Sequence, residues 1–396
     1  IGIGFGAGDN ITSGSNNVMI GGADAASATA SDQLSISSGD GSPVWITGTS
    51  DGTVNLPNSI LKINGSVGSD GQVLTSTGSA VAWEDAGGGG GVTFLTENNS
   101  LWLGHDPSSN TNGAYQNTAV GIGTMDSVTT GDNNTAVGKD SMTALDSGEG
   151  NVAMGRNSLY ALTSGSNNVA IGYEALKTIN NESGIVAIGY EALKTADGGS
   201  SQLVALGYQA LKNVTTSQQT SAFGYLAGLD ITSGNFNTMI GNRVGQKITT
   251  GYQNVGVGFN TMGGVSAAAM TGSSNTAVGG NSMEDIQSGS ENTAVGYNTL
   301  RELTTGSRNT AIGYVAGDNF DTESDNVAIG YNALGGVVAG AHSSVAIGNY
   351  SLDAVTSAVG SVGIGYNAGT AITTGHYNIG IGYRALDANT TGSSII

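Results

Sequence analysis

The sequence contains no cysteine, which excludes disulfide bridges and thiolate metal sites. It is also poor in proline, with 3 residues in 396, and in charged residues, which make up 10%. Its 11 basic residues are outnumbered by 30 acidic ones, so the net charge is −19. Because phosphate binding needs clustered Lys and Arg, nucleic acid is not an expected partner. No apolar run reaches membrane-spanning length, so no membrane segment is expected.

Glycine is abundant, with 67 residues, and much of it belongs to one repeated unit close to Asn-Thr-Ala-Val-Gly-Tyr-Asn-Ala-Leu. The glycine of Ala-Val-Gly, called here the marker glycine or position 0, occurs sixteen times. Twelve of its fifteen steps have a 17-residue length; two steps are longer by one, and the step from Gly258 to Gly279 is longer by four. This period predicts a solenoid of stacked coils. Eight repeat-defining marker glycines are Gly121, Gly138, Gly155, Gly172, Gly189, Gly296, Gly313 and Gly330.

Each coil is predicted to contribute three aliphatic side chains to a shared core. They stand at positions −1, +4 and +7, as Val295, Leu300 and Leu303 do. Because side chains alternate across a strand, the face opposite position −1 is predicted to be flat, with Ala and Gly. Three anchors are too few for one coil to fold alone, so successive coils must stack. The Tyr-x-Ala-Leu-Lys segments would also allow a single helical turn.

The rest of each coil has the composition of turns. A second glycine at position +10, such as Gly148, predicts a corner with a positive φ angle. Asn stands at position −4 in eleven of sixteen copies and predicts a ladder of side chains hydrogen-bonded from coil to coil. With strands about 4.8 Å apart, sixteen coils would form a rod roughly 75 Å long.

Four segments are predicted along the chain. Residues 1–21 are the end of a preceding repeat array, since Gly4 and Gly21 are separated by the same period as the marker glycines. We therefore expect the chain to be an internal piece of a longer polypeptide. Residues 22–91 are a non-repetitive β connector ending in a five-glycine hinge, residues 92–116 are a capping β element, and residues 117–396 are the solenoid. Short strands are predicted at Gln33–Ser37, Val44–Gly48, Thr53–Leu56, Ile60–Ile63, Gln72–Thr75, Val92–Leu95 and Ser100–Gly104.

The repeats resemble two kinds of fibrous protein. The Asn-Thr-Ala-Val-Gly and Asn-Val-Ala-Ile-Gly units are similar to the head repeats of trimeric autotransporter adhesins, which implies a parallel β-roll in a homotrimer. The fuller unit, from Val295 to Ser307, resembles repeats of phage tail-fibre proteins. The resemblance covers roughly residue 117 to the end. The adhesin repeat is usually shorter than the repeat of this chain, so the hand and the number of strands per coil do not carry over.

An aromatic ladder is the leading candidate binding surface. An aromatic residue occupies position +1 in ten copies, and sugars often stack on such rings. The alternative is that these rings only fill space within the fibre. A second ladder of Thr at position +8 could suit ice binding, but other residue types interrupt it. The candidate glycan-stacking tyrosines are Tyr173, Tyr190, Tyr208, Tyr297, Tyr314 and Tyr331.

Catalysis is not expected. The three histidines, His105, His342 and His376, have no ligand spacing, and the acidic residues occupy variable positions, so neither a metal site nor a recurring acid and base pair is predicted. No cofactor is expected. Together with the resemblance, the pattern suggests an all-β, homotrimeric structural fibre, extracellular and part of a virion or a cell surface. A phage tail-fibre shaft that contacts a host glycan or protein receptor is preferred; a bacterial adhesin and a glycan depolymerase are the alternatives.

Overall fold

A computed structural model describes two compact units, Ile1–Val92 and Thr93–Ile396. The described residues contain strands and turns but no helix. The Tyr-x-Ala-Leu-Lys segments are therefore turns, and the single-turn helix alternative is wrong. The structure describes residues 1–22, 29, 31–37, 44–48, 54–55, 72–76, 81–85, 94–104, 113–196, 198–263, 269–336 and 340–396.

The first unit contains a mixed sheet and a separate hairpin. Strands β1 and β2 pair in parallel with Gly2 opposite Met19, which is the period of the marker glycines, and β3 continues the array with Val18 opposite Leu34, one residue fewer. Strands β4 and β5 then pair antiparallel, as do β6 and β7. The parallel array thus extends one strand beyond residue 21. The strands are β1 (Gly2–Ile3), β2 (Val18–Ile20), β3 (Leu34–Ser37), β4 (Val44–Gly48), β5 (Val54–Asn55), β6 (Gln72–Ser76) and β7 (Val81–Asp85).

Four of the five strands predicted in this unit overlap observed strands. The segment Ile60–Ile63 and the five-glycine hinge lie outside the described residues. The alternation of β-branched and polar residues between turn signals carried this part of the prediction.

The second unit is a parallel β-solenoid. Hairpin β8–β9 begins it, β9 pairs in parallel with β10, and each later described strand pairs with the next. The two strands predicted before the repeats thus form a hairpin, and β9 lies directly against the first repeat strand. The strands are β8 (Phe94–Glu97), β9 (Ser100–Leu103), β10 (Thr118–Val120), β11 (Thr135–Val137), β12 (Val152–Met154), β13 (Val169–Ile171), β14 (Val186–Ile188), β15 (Val204–Leu206), β16 (Ser221–Phe223), β17 (Thr238–Ile240), β18 (Val255–Val257), β19 (Thr276–Val278), β20 (Thr293–Val295), β21 (Thr310–Ile312), β22 (Val327–Ile329), β23 (Val345–Ile347), β24 (Val362–Ile364) and β25 (Ile379–Ile381).

Equivalent residues face one another in every pair of repeat strands. Thr118 pairs with Thr135 across a 17-residue coil, and Val186 pairs with Val204 across an 18-residue coil. Even the 21-residue coil keeps the register, since Val255 pairs with Thr276. Extra residues are therefore absorbed between strands, which preserves one continuous ladder.

The core differs from the prediction at one of its three positions. The middle residue of each strand, position −2, points inward: Ala294 and its equivalents are fully buried. Val295 at position −1 is 37% exposed, and Ile312 one coil later is 40% exposed. The inward assignment of position −1 was wrong, as was the idea that Ala lies on an open flat face. Positions +4 and +7 are confirmed, since Leu300 and Leu303 are buried.

The narrow interior explains why Ala rather than Ile points inward. Met239 is an exception that shows the constraint, because it takes the inward position where most coils have Ala. Glycine stands at two neighbouring core positions, and a Cβ on Gly245 would lie 2.4 Å from the Met239 sulfur. A Cβ on Gly256 would lie 3.2 Å from the same atom. The interior thus holds a fixed volume per coil, and a larger strand residue requires smaller neighbours.

Two reasons require glycine at the marker positions. The first is a positive φ angle, and the second is the close approach of the backbone of the next coil. Gly207 has a φ of +138°, and a Cβ there would lie 2.2 Å from the carbonyl oxygen of Gly224 in the next coil. At position +10 of most 17-residue coils only the second reason applies. Gly148 does not have the predicted positive φ, but a Cβ there would lie 2.3 Å from the carbonyl oxygen of Gly165. The corner prediction was therefore right about glycine and wrong about the angle.

Candidate interaction surfaces

The asparagine ladder at position −4 is confirmed and lies inside the solenoid. Asn134 donates from Nδ2 to the carbonyl oxygen of Gly148 (2.9 Å) and from its backbone nitrogen to Oδ1 of Asn117 (2.9 Å). Its own Oδ1 accepts from the backbone nitrogen of Asn151 (2.9 Å). Because these polar groups are consumed by neighbouring coils, the ladder stabilises stacking and offers nothing to a ligand. Its members are Asn117, Asn134, Asn151, Asn168, Asn237, Asn254, Asn275, Asn292, Asn309, Asn326 and Asn378.

The six candidate tyrosines fall into two separate stacks. Tyr173, Tyr190 and Tyr208 stack with centroid separations of 5.2 and 5.1 Å, and Tyr225 continues the series. Tyr297, Tyr314 and Tyr331 form the second stack, with separations of 5.5 and 5.4 Å. Asn242, Phe259 and Gly280 occupy position +1 between the two stacks.

Within a stack, the contacts between rings leave ring edges rather than ring faces at the surface. Tyr190 is 43% exposed, yet each of its two faces is covered by a neighbouring tyrosine. At one end of the stack, the Arg156 guanidinium lies 5.9 Å from the Tyr173 ring centroid. A sugar needs an open ring face to stack on. Glycan stacking therefore stays a prediction, and the geometry favours the alternative that the rings pack on one another.

The outward side of the strands forms a second surface, and the sequence prediction had assigned one of its two positions, position −1, to the core. Positions −3 and −1 flank the buried position −2, and both are half-buried or exposed along the ladder. In β20, for example, Thr293 and Val295 lie on this side and Ala294 on the other. We call the side chains at positions −3 and −1 of β10 to β25 the outward face.

One cluster of charged side chains is formed by residues that do not belong to the outward face. Glu174 and Glu191 form a chain of ion pairs in which Lys194 bridges the two carboxylates at 2.6 and 2.7 Å. Lys177 and Lys212 complete it at the two ends, at 2.8 and 2.7 Å. Burial would raise the pKa of Glu174, but hydrogen bonds from both of its lysines lower the pKa to about 2. The pKa of Glu191 is likewise lowered to about 2, against desolvation, by its lysine partners.

Two buried glutamates were missed by sequence reasoning. Glu323 accepts hydrogen bonds from the backbone nitrogens of Asp321 (2.7 Å) and of Gly340 in the next coil (2.9 Å). Glu182 makes the equivalent bonds, including one from Gly199 at 3.3 Å. Both glutamates replace the glycine at position +10, and both precede an 18-residue step. The occurrence of Glu at position +10 before each 18-residue step could have indicated, from the sequence alone, that these side chains stabilise the longer coils.

The histidines of the described coils have structural partners. His342 accepts from the backbone nitrogen of Ser324 at 2.9 Å, and His376 accepts from that of Val359 at 3.1 Å, both through Nδ1. His105 lies outside the described residues. Within the described residues, no group of three or more His, Asp or Glu side chains is arranged to hold a metal ion. None of the described segments is a helix that could cross a membrane.

Comparisons with protein-family models, with curated proteins and with solved structures found no match. The solenoid and its surfaces are therefore the basis for inferring function. The marker glycines form one column through the stack, since each approaches the backbone of the next. The tyrosines form two stacks that follow one another along position +1, next to the glycine column, and the outward face runs along the strands.

Proposed function

We propose that this chain is a structural rod in a homotrimeric, extracellular attachment fibre, such as the shaft of a phage tail fibre. The observation that carries the proposal is the ladder from β9 to β25, in which every strand pairs in parallel and in register with the next. At 4.7 to 4.9 Å per strand, this ladder is roughly 75 to 80 Å long. Such an element supplies reach and stiffness.

The internal polar groups support a mechanical rather than a chemical role. The buried asparagine ladder and the glutamates Glu182 and Glu323 bind backbone groups of adjacent coils. Solenoid stability is a sum of coil and interface contributions, so a long rod can be built by adding units. In this proposal the chain binds no cofactor, and contact with a host glycan or protein receptor is a property of the assembled fibre.

Deleting whole coils tests the rod function. Removal of Thr276–Asn309 takes out two 17-residue units and joins Asn275 to Thr310, which keeps the repeat in phase. We expect the particle to shorten by about 10 Å, because each coil adds one strand spacing. Electron microscopy and small-angle X-ray scattering measure the length. A particle whose length does not change on deletion, or a globular particle, would contradict the proposal.

A further inference from the structure

The outward face has an unusual composition for a surface exposed to water. Its 32 positions in β10 to β25 carry only Val, Ile, Leu, Met, Phe, Thr and Ser, although the chain has 30 acidic and 11 basic residues. Position −3 is Thr or Val in most strands. The residues at position −1 are Val120, Val137, Met154, Ile171, Ile188, Leu206, Phe223, Ile240, Val257, Val278, Val295, Ile312, Ile329, Ile347, Ile364 and Ile381.

This composition is that of a buried sheet. Purely parallel sheets are normally covered on both faces, and here the coil interior covers only the side with Ala294. The two outward columns are about 7 Å apart and roughly 75 Å long, so with the width of the side chains the face covers on the order of 1,000 Å². Apolar patches on monomers are mostly smaller, whereas a stable interface takes about 800 Å² from each partner.

Building on the proposed fibre, we infer that the outward face is the surface on which copies of this chain pack against one another. The periodicity of the face favours a second copy of the chain as the partner. Its side chains repeat once per coil along the whole ladder, so a partner that fills it must repeat with the same spacing over the same length. A second copy of the chain meets both conditions. A small ligand or a globular protein would cover only a few coils and leave the remainder exposed.

Electrostatics agrees with this arrangement. Each chain carries −19, so copies repel one another, and charged side chains in the contact would have to be desolvated. The outward face contains none. The tyrosine stacks stand two residues beyond position −1, where an aromatic ring with a polar tip suits the rim of an interface.

The inference is tested by charging three successive coils of the full chain. The face variant is Val278→Lys, Val295→Lys and Ile312→Lys together. Lysine is chosen because added acid would increase repulsion between copies everywhere. The matched control places lysine once in each of the same three coils at exposed turn positions: Ser288→Lys, Thr305→Lys and Thr322→Lys. Light scattering measures the mass, and circular dichroism measures the fold.

We expect the parent chain and the control to have the same multi-chain mass and the face variant to fall to the mass of one chain with unchanged circular dichroism. A face variant that keeps the parent mass would overturn the inference while leaving the rod proposal intact. A parent chain that is already monomeric would overturn it too, and the coil-deletion lengths would still decide the rod proposal separately. If the face variant loses its fold, single Ile312→Lys and Thr305→Lys variants repeat the comparison with a smaller perturbation.

Discussion

The inward and outward sides of the same strands follow different rules. On the inward side, Ala294 belongs to the continuous core that also contains Leu300, and its size is set by the volume of the coil. On the outward side, Thr293 and Val295 meet solvent, and coil stacking places no limit on their size. Coil stacking therefore explains the first set of residues and leaves the second unexplained. The partly exposed apolar side chains of the outward face are the reason for proposing that copies of the chain meet there.

The largest loss of stability should come from substituting a marker glycine, because these glycines allow the coils to stack closely. Gly207→Ala places a methyl group against the Gly224 carbonyl at a φ that Ala rarely adopts, so we expect a loss of about 3 kcal/mol or more. Gly184→Ala is the control, because its φ is also positive but no atom lies within 4 Å of the added Cβ. Urea unfolding of both variants measures the difference. Equal stability losses would show that close approach is unimportant.

An added side chain should distinguish the two sides within one strand. Ala294→Ile overfills the interior and should reduce the free energy of unfolding by about 1 to 3 kcal/mol. Thr293→Ile adds apolar surface to the outward face and should leave that free energy unchanged or higher. Thermal melts of the two variants under identical conditions check this. Greater damage from Thr293→Ile would reverse the assignment of inside and outside.

The asparagine ladder should be sensitive to loss of one amide. Asn292→Ala removes the donor to the Gly306 carbonyl (2.9 Å) and the acceptor for the Asn309 backbone nitrogen (2.9 Å). Leaving these buried groups unpaired should cost about 1 to 3 kcal/mol. Asn292→Ser should lose less, because Ser361 fills the same position and bonds the Gly375 carbonyl at 3.4 Å. Chemical denaturation ranks the variants, and equal losses for Ala and Ser would argue against this role of the ladder.

The smallest effect concerns pH and the ion pairs of Glu191, whose lysine partners are partly exposed and therefore screened by solvent. The folded-state pKa of Glu191 is about 2, below its ordinary value of 4.5, so its contribution to stability is present above pH 4.5 and is lost as the pH falls toward 2. Glu191→Gln removes that contribution. We expect the melting temperatures of parent and variant to differ at pH 7, to approach one another as the pH falls below 4.5, and to converge near pH 2. A constant difference across this range would contradict the assignment.

The repetition of the sequence made the architecture predictable. Equivalent residues such as Asn292 and Asn309 recur at a fixed step, so stacking follows from the period alone, and the hydrogen-bonded ladder follows from the chemistry of the amide. The hairpin before β10 was likewise predictable from Val92–Leu95 and Ser100–Gly104. The extra residues of the longer coils fell outside the strands, as turn composition suggests.

The orientation of the strand could not be predicted from hydrophobicity. Val295 is more hydrophobic than Ala294, and a pattern that ranks residues by hydrophobicity places valine inside. The interior instead selects by volume, because Leu300 and Leu303 already occupy much of it. Backbone angles could not be predicted either: Leu300 has a φ of +50°, a left-handed conformation that costs a residue with a side chain roughly 1–2 kcal/mol and that the leucine pattern does not indicate.

The absence of cysteine permits a direct measurement on the outward face. Single cysteines at Val295 and, as the control, at Thr305 can each carry a spin label in the full chain, and dipolar coupling between copies can be compared. Packing of the outward faces predicts strong coupling from Val295 and weak coupling from Thr305. Weak coupling at Val295, in particles shown by light scattering to contain several chains, would contradict the claim that copies meet on this face.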